Sequence, residues 1–377
     1  MANVFTSLAA DIYDSAERVG RELVGGIKAV KINSGAEAAA KGDTVRAAFT
    51  EPQTVSTTYA PSMTIPEGTD QTVDNKTMSL NTYASIQIPY TGEDQKHLNN
   101  GAGYETVYGH QIQQAMRSIC NKVELDLMAV ISAGAGNAYG TAGTTPFASN
   151  MNDLPNVMKL LLDRGCPDDG SITGVYDTTA AVNIQNLSNL FKVNESGNDG
   201  LLRGGKLGQL YNIDLTRSAQ VALSVAGTGS SYVLNGAHTK GATSIVAKTG
   251  SGTIVAGDTV TIGSHQYVVL AGIAAPGTFT INSGLVAAGS DGDTITIGAA
   301  ARRNCVLHRD STELAIRPLA VPNGGDAARD MMTVQDPMSG LAFTLCHYVG
   351  FKKSMIEIGC LYGSKVWLPD FACLHLG

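Results

Sequence analysis

The chain has 377 residues, of which 43% are hydrophobic and only 16% charged, with 43 glycines, one tryptophan and a formal net charge of −7. That length exceeds one ordinary core and implies two or three compact pieces that fold without disulfides. A charged share below the ~25% of a typical domain suits a subunit whose exterior becomes interface better than it suits a free enzyme, and scattered bases with no block disfavour direct gripping of nucleic acid.

Six cysteines, Cys120, Cys166, Cys305, Cys346, Cys360 and Cys373, have no CxxC pair and no histidine at zinc-ligand spacing, so they are expected to be reduced core residues. The first residues lack the basic start and apolar stretch of a secretory signal, and nowhere do eighteen apolar residues run together. The expectation is a protein made and kept in a cytosol.

In chain order, Ile12, Ala16, Val19 and Leu23 fall at helical spacing, with Asp14, Glu17, Arg18, Arg21 and Glu22 on the remaining surface. This predicts a short amphipathic arm, whose apolar stripe needs another surface to cover it. From Gly42 to Gln95 the alternation in Met78-Ser79-Leu80 and Ala84-Ser85-Ile86-Gln87-Ile88 predicts a long hairpin with an exposed tip near Pro61 to Asn75. Tyr108, Ile112, Ala115, Ile119, Val123, Leu127 and Val130 then recur three or four apart, which predicts one helix over Tyr104 to Ala133, ended by Gly134-Ala135-Gly136. Such a run spans roughly 45 Å.

Two further helices are expected, Asp153 to Arg164 and Thr178 to Phe191, followed by β-like runs at Leu207 to Leu215 and Val221 to Val225. Gly227 to Gly298 is dense in Gly, Thr, Val and Ile and is predicted to be all β. It holds a near-repeat, Ala256-Gly257-Asp258-Thr259-Val260-Thr261-Ile262-Gly263 against Asp291-Gly292-Asp293-Thr294-Ile295-Thr296-Ile297-Gly298. Each copy is a turn feeding a strand, which suits a small antiparallel barrel. After Ala301 the pattern gives a strand near Cys305-Val306-Leu307, a helical or mixed patch through Leu314, and two adjacent strands at Leu341 to Val349 and Ser354 to Tyr362, joined by Gly350-Phe351-Lys352-Lys353.

This order of parts, with Asn304-Cys305-Val306-Leu307-His308-Arg309-Asp310-Ser311, Leu314-Ala315-Ile316-Arg317-Pro318-Leu319 and the ending Gly359 to Pro369, resembles the major capsid proteins of tailed bacteriophages with the HK97 fold. The likeness is greatest to the short-tailed Salmonella phage coat family that carries an inserted domain. It implies an α+β capsid fold divided into an N-terminal arm (1–41), an E-loop region (42–95), a peripheral domain with a spine helix (96–152), a first axial part (153–226), an inserted β-domain (227–298), a second axial part (299–345) and closing peripheral strands (346–377). The implied function is structural: assembly as hexamers and pentamers into an icosahedral head enclosing double-stranded DNA. The implied partners are copies of the chain, a scaffolding protein, a portal at one vertex and a decoration protein, with packaged DNA touched non-specifically and no membrane. No catalytic residue, cofactor or metal is implied. Expected assembly contacts are Asp14, Glu17 and Arg18 in the arm, Lys76 in the E-loop, where some shells of this fold form a Lys–Asn link, and the turn residues Asp258 and Asp293.

Three motifs point elsewhere. Gly200-Leu201-Leu202-Arg203-Gly204-Gly205-Lys206 matches a phosphate-cradling GxxxxGK loop, but Leu207 stands where the metal-binding hydroxyl is needed, and no buried strand precedes it. His308-Arg309-Asp310 copies the start of a kinase catalytic loop, yet Ala315 occupies the position of the required asparagine. Asp291-Gly292-Asp293 could meet calcium, but a plain β-turn is the favoured reading. The rival readings are therefore an encapsulin-like compartment of the same fold and a nucleotide-dependent enzyme built around Lys206.

Overall fold

The computed structural model describes residues 24–35, 37–50, 55, 57, 59–65, 73–99, 104–144, 146–187, 207–221, 223–322, 325–335 and 339–377. Along the chain run α1 (Gly25–Ala29), β1 (Lys31–Ser34), β2 (Thr44–Thr50), β3 (Val73–Ser79), β4 (Thr82–Thr91), α2 (Gly92–Asn99), α3 (Tyr104–Gly134), β5 (Asn137–Gly140), α4 (Asp153–Asp163), β6 (Ile172–Tyr176), α5 (Thr178–Asn186), β7 (Gln209–Leu210) and β8 (Ile213–Arg217). There follow β9 (Tyr232–Leu234), β10 (Ser244–Lys248), β11 (Thr259–Ile262), β12 (His265–Ala271), β13 (Thr278–Ile281), β14 (Thr294–Ile297), β15 (Arg303–His308), β16 (Thr312–Arg317), β17 (Ala328–Gln335), β18 (Ala342–Val349), β19 (Lys353–Val366) and β20 (Ala372–Leu376).

The long helix α3 forms where the period demanded it. Ile112, Met116, Ile119, Val123, Leu127 and Ile131 are all buried along one face, while Val130 is only half-buried. That face packs on a sheet ordered β1-β16-β19-β18-β17, in which β4 also pairs with β19. The organiser is β19, fourteen residues long. Its first part lies between β4 and β18, and its last residues pair with β16. The expected neighbours β18 and β19 are adjacent, joined by a turn in which Lys352 takes φ 54° and Gly350 N–H donates to the Lys353 carbonyl.

A second sheet is ordered β7-β8-β6-β15-β20-β5. Its strands are apolar on both faces because both are covered. Val306 and Cys373 point to α4 and α5, while their neighbours Cys305, Leu307, Ala372 and Leu374 join the core under α3. Helix α5 starts at Asp177, whose carboxylate accepts from Thr179 N–H at 3.3 Å and Ala180 N–H at 3.1 Å. Gly165, at φ +83°, follows the end of α4.

Strands β9 to β14 close on themselves in the order β11-β14-β9-β10-β13-β12 and back to β11, every pairing antiparallel. Tyr232, Leu234, Ile245, Val260, Tyr267, Val269, Phe279, Ile281 and Ile295 fill the interior as a separate core. The two copies of the near-repeat become neighbours, with Val260 opposite Ile297 and Ile262 opposite Ile295. Both turns are closed alike: Asp258 Oδ2 accepts from Val255 N–H at 2.8 Å, Asp293 Oδ2 from Ser290 N–H at 2.7 Å, and Gly257 and Gly292 sit at φ +85° and +87°. This barrel meets the second sheet where Gln266 and Tyr267 of β12 pair with β5.

Several expectations need correction. The hairpin is β2 with β3; β4, expected within it, leaves to join β19. Residues 309–311 form one 3-10 turn and lead into β16, so no helical patch reaches Leu314. In the expected run Val221 to Val225 the described residues form only a bridge from Leu223 to Arg302. Helix α5 ends at Asn186, and residues 188–191 lie outside the described residues. The division placed at residue 345 does not separate the sheets either. Strands β16 and β17 belong with β18 and β19, whereas β20, expected among the closing peripheral strands, lies between β5 and β15.

Candidate assembly surfaces

Hairpin β2–β3 is stiff at its root. Met78 and Leu80 are buried with Ala315, Leu361 and Trp367, and Val45 and Ala47 pack against them. Lys365 Nζ donates to the Thr77 carbonyl at 2.7 Å and lies over the Trp367 ring at 5.1 Å. Asp43 closes the entry turn by accepting from Ala40 N–H at 2.6 Å. Beyond this root the described part of the loop is the reverse of a solvated turn. Val55, Tyr59, Met63 and Ile65 are 81%, 90%, 105% and 90% exposed. Large apolar residues scattered singly on a surface need no explanation, but four so exposed within eleven residues mark a contact surface.

A second exposed apolar point is the β18–β19 turn, where Phe351 is exposed beside Val349. A third is a groove between β4 and the start of α3, lined by Ile86, Ile88, Pro89, His110, Gln114 and Ala115.

The expected contact residues fall differently. Asp14, Glu17 and Arg18 lie outside the described residues, as does the whole 200–206 stretch with Lys206. Lys76 sits at the hairpin root, where its Nζ donates to the Trp367 carbonyl at 3.3 Å, so it is held by its own chain and is not at the tip. Asp258 is 1% exposed. Its carboxylate accepts from Val255 and Gly227 N–H groups and faces Arg303, so as a surface contact it is corrected: it is an internal tie. Asp293 is half-buried and closes its own turn. Asp291, which sequence reasoning did not choose, is exposed and takes Gly236 N–H at 2.7 Å and Lys248 Nζ at 2.5 Å, which holds its carboxyl below the usual range.

No nucleophilic site is assembled around the cysteines. All six are buried and none is in a disulfide. Burial pushes the Cys166 thiol up to about 11 and those of Cys360 and Cys373 to about 12, the direction of inert core thiols. His308 is a joint in a turn: its Nδ1 accepts from Asp310 N–H at 3.2 Å, leaving Nε2–H to face the Asp169 carboxylate at 3.2 Å. Among the described residues no group of three His, Cys, Asp or Glu could hold a metal, and no helix is long and apolar enough to cross a membrane.

One polar tie was not legible in the sequence. Glu124, on the inner face of α3 and fully buried, accepts Gly26 N–H at 2.7 Å and Ile27 N–H at 2.8 Å and bonds to buried Ser218. Burial raises its pKa from the ordinary carboxyl value, against the lowering effect of these hydrogen bonds. It fixes the point where the N-terminal segment meets the helix.

No protein-family model and no curated protein matches the sequence. Solved structures do. A chain of the cyanophage P-SCSP1u capsid structure superposes with a TM-score of 0.50 at 12% identity, covering 92% of this chain and 86% of that one. A chain from the asymmetric unit of the bacteriophage PhiM1 mature capsid gives 0.50 at 11% identity, covering 92% and 85%. The chain shares the fold of these phage capsid chains.

Proposed function

We propose that the chain is the major capsid protein of a tailed bacteriophage, built on the HK97 plan and assembling as hexamers and pentamers into an icosahedral head around double-stranded DNA. The observation that carries the reading is the stiff hairpin bearing an exposed apolar loop at Val55, Tyr59, Met63 and Ile65, on a fold shared with phage capsid chains. A loop of that kind is costly in a lone subunit and useful where a neighbour covers it.

In this reading the sheet under α3 is the peripheral domain, the sheet β7 to β5 the axial domain, the barrel the inserted domain and hairpin β2–β3 the E-loop. The role is structural and not enzymatic, its place is the virion, and assembly takes place in the host cytoplasm. Many modest contacts act together in a closed shell, so none need be strong. A scaffolding protein and a portal set size and the unique vertex, a decoration protein could bind outside, and DNA is met without sequence preference.

The test is expression of the chain alone and with a candidate scaffold, followed by sedimentation and negative-stain electron microscopy. Shells, tubes or capsomers support the reading; a small monodisperse species under both conditions overturns it.

A further inference from the structure

Strands β5 and β12 join the barrel to the second sheet over two residue pairs, Asn137 opposite Tyr267 and Ala138 opposite Gln266. Beyond this seam they part: Tyr139 and Gly140 continue along β20, while His265 pairs back to Ile262. The parting leaves a cleft of about 450 Å³, which Asn156 and Lys159 of α4 flank. That volume lies within the ~300–1,000 Å³ of small-molecule sites and is many times the ~30 Å³ share of one water.

Two side-chain amides that line the cleft are only half used. Asn137, 2% exposed, accepts through Oδ1 from Arg164 Nη2 at 3.1 Å, and its Nδ2 has no hydrogen-bond partner among the described residues. Gln266 donates through Nε2 to the Gly140 carbonyl at 2.9 Å, and its Oε1 has no such partner either. Neither amide can be turned round to cure this, since N–H would then face the Arg164 N–H, or oxygen the Gly140 carbonyl. Tyr139 Oη accepts from Asn156 Nδ2 at 2.9 Å and keeps its own proton to donate. An open donor and an open acceptor thus remain, each costly to leave unmet.

The charges around the cleft cancel. Lys159 pairs with Asp163 at 2.7 Å and Arg164 with Asp370 at 3.7 Å. Burial, with Arg164 and Lys159 nearby, lowers the pKa of His265, so its ring is uncharged at neutral pH. A carboxylate or phosphate would set oxygen against Gln266 Oε1, whereas a hydroxyl both gives and accepts a proton. Tyr139 and His265, each with an apolar body and a polar tip, suit a ring that is amphipathic in the same way. We propose that this cleft binds an uncharged saccharide, with one hydroxyl oxygen accepting from Asn137 Nδ2–H and one hydroxyl proton donated to Gln266 Oε1. The inference concerns the single chain and does not rest on the capsid reading. A bound sugar ties β5 to β12 beyond their short seam.

The test is saturation-transfer NMR on the full chain with millimolar methyl α-glucoside, methyl β-galactoside and N-acetylglucosamine, a method that serves for monomer and assembly alike. The expected result is saturable transfer to the ring protons of at least one of them. Gln266→Met keeps the length of the side chain and removes the acceptor, and should weaken that affinity about fivefold, as expected for one neutral hydrogen bond. Silence from all three sugars, equal affinity in Gln266→Met, or displacement of the sugar by the same concentration of inorganic phosphate would each overturn the proposal. A second measurement needs no variant. Hydrogen exchange with and without the sugar should show added protection at β5 and β12; protection confined to other strands refutes the site.

Discussion

Replacement of Glu124 is the sharpest test of how the N-terminal segment is tied to α3. Both carboxylate oxygens are used, one by Gly26 N–H and one by Ile27 N–H, and neither the glutamate nor Ser218 has any exposure through which water could replace them. Glu124→Ala leaves two buried donors without acceptors at ~1–3 kcal/mol each, so the expected loss is about 2–6 kcal/mol, a large part of an ordinary domain's stability. The assay is urea unfolding followed by the fluorescence of Trp367, the one tryptophan, which is buried and donates to Glu313 at 2.8 Å. Glu124→Gln keeps an acceptor and should lose less than Glu124→Ala. The pH dependence has a definite sign. Burial raises the folded-state pKa, so between the unfolded and folded values the native chain binds the extra proton, and stability from this group falls as pH rises through that window. The advantage of the wild type over Glu124→Gln should therefore shrink from acid toward neutral pH. A Glu124→Ala loss below about 0.5 kcal/mol, within the range of an ordinary surface change, would refute the tie. An advantage that grows with pH would show that the hydrogen bonds outweigh burial.

Charged residues at the loop tip, Met63→Asp with Ile65→Asp, should change chain stability by no more than about 0.5 kcal/mol, because both side chains are exposed, yet abolish sedimenting assemblies. Asp258→Ala should cost about 2–4 kcal/mol by orphaning the Val255 and Gly227 donors and leaving buried Arg303 without its facing charge, whereas Asp293→Ala, which loses one turn bond, should cost about 1 kcal/mol; urea titration compares the two. Gly272→Ala should open the barrel, since its Cβ would fall 1.9 Å from the Ile254 carbonyl oxygen; hydrogen exchange at β11 to β13 is the readout, and unchanged protection would sink this account.

What the sequence revealed and what it withheld divide along the range of the interactions. Helix α3 was legible because a period of three to four runs unbroken from Tyr108 to Val130, and β18 and β19 because alternation and a short turn are local signals. The helix Gly92–Asn99 has no apolar stripe, and its local marks are weak: acids in the first turn, bases in the last, and the Thr91/Asp94 pair, in which Thr91 N–H donates to Asp94 Oδ2 at 2.9 Å and Asp94 N–H to Thr91 Oγ1 at 3.2 Å. Sheet membership was not legible at all. Nothing within Thr312–Arg317 or Ala372–Leu376 says which sheet each strand enters, because the choice is made by β19 and β15, distant strands with room beside them. The near-repeat shows the same limit within eight residues. Its two copies form the same turn and the same strand, yet Asp258 is buried and Asp293 half-buried, because only the first copy lies beneath Gly227 and Arg303. Local sequence set what each aspartate does to its own turn; the surroundings decided which of them also holds the barrel to the rest of the chain.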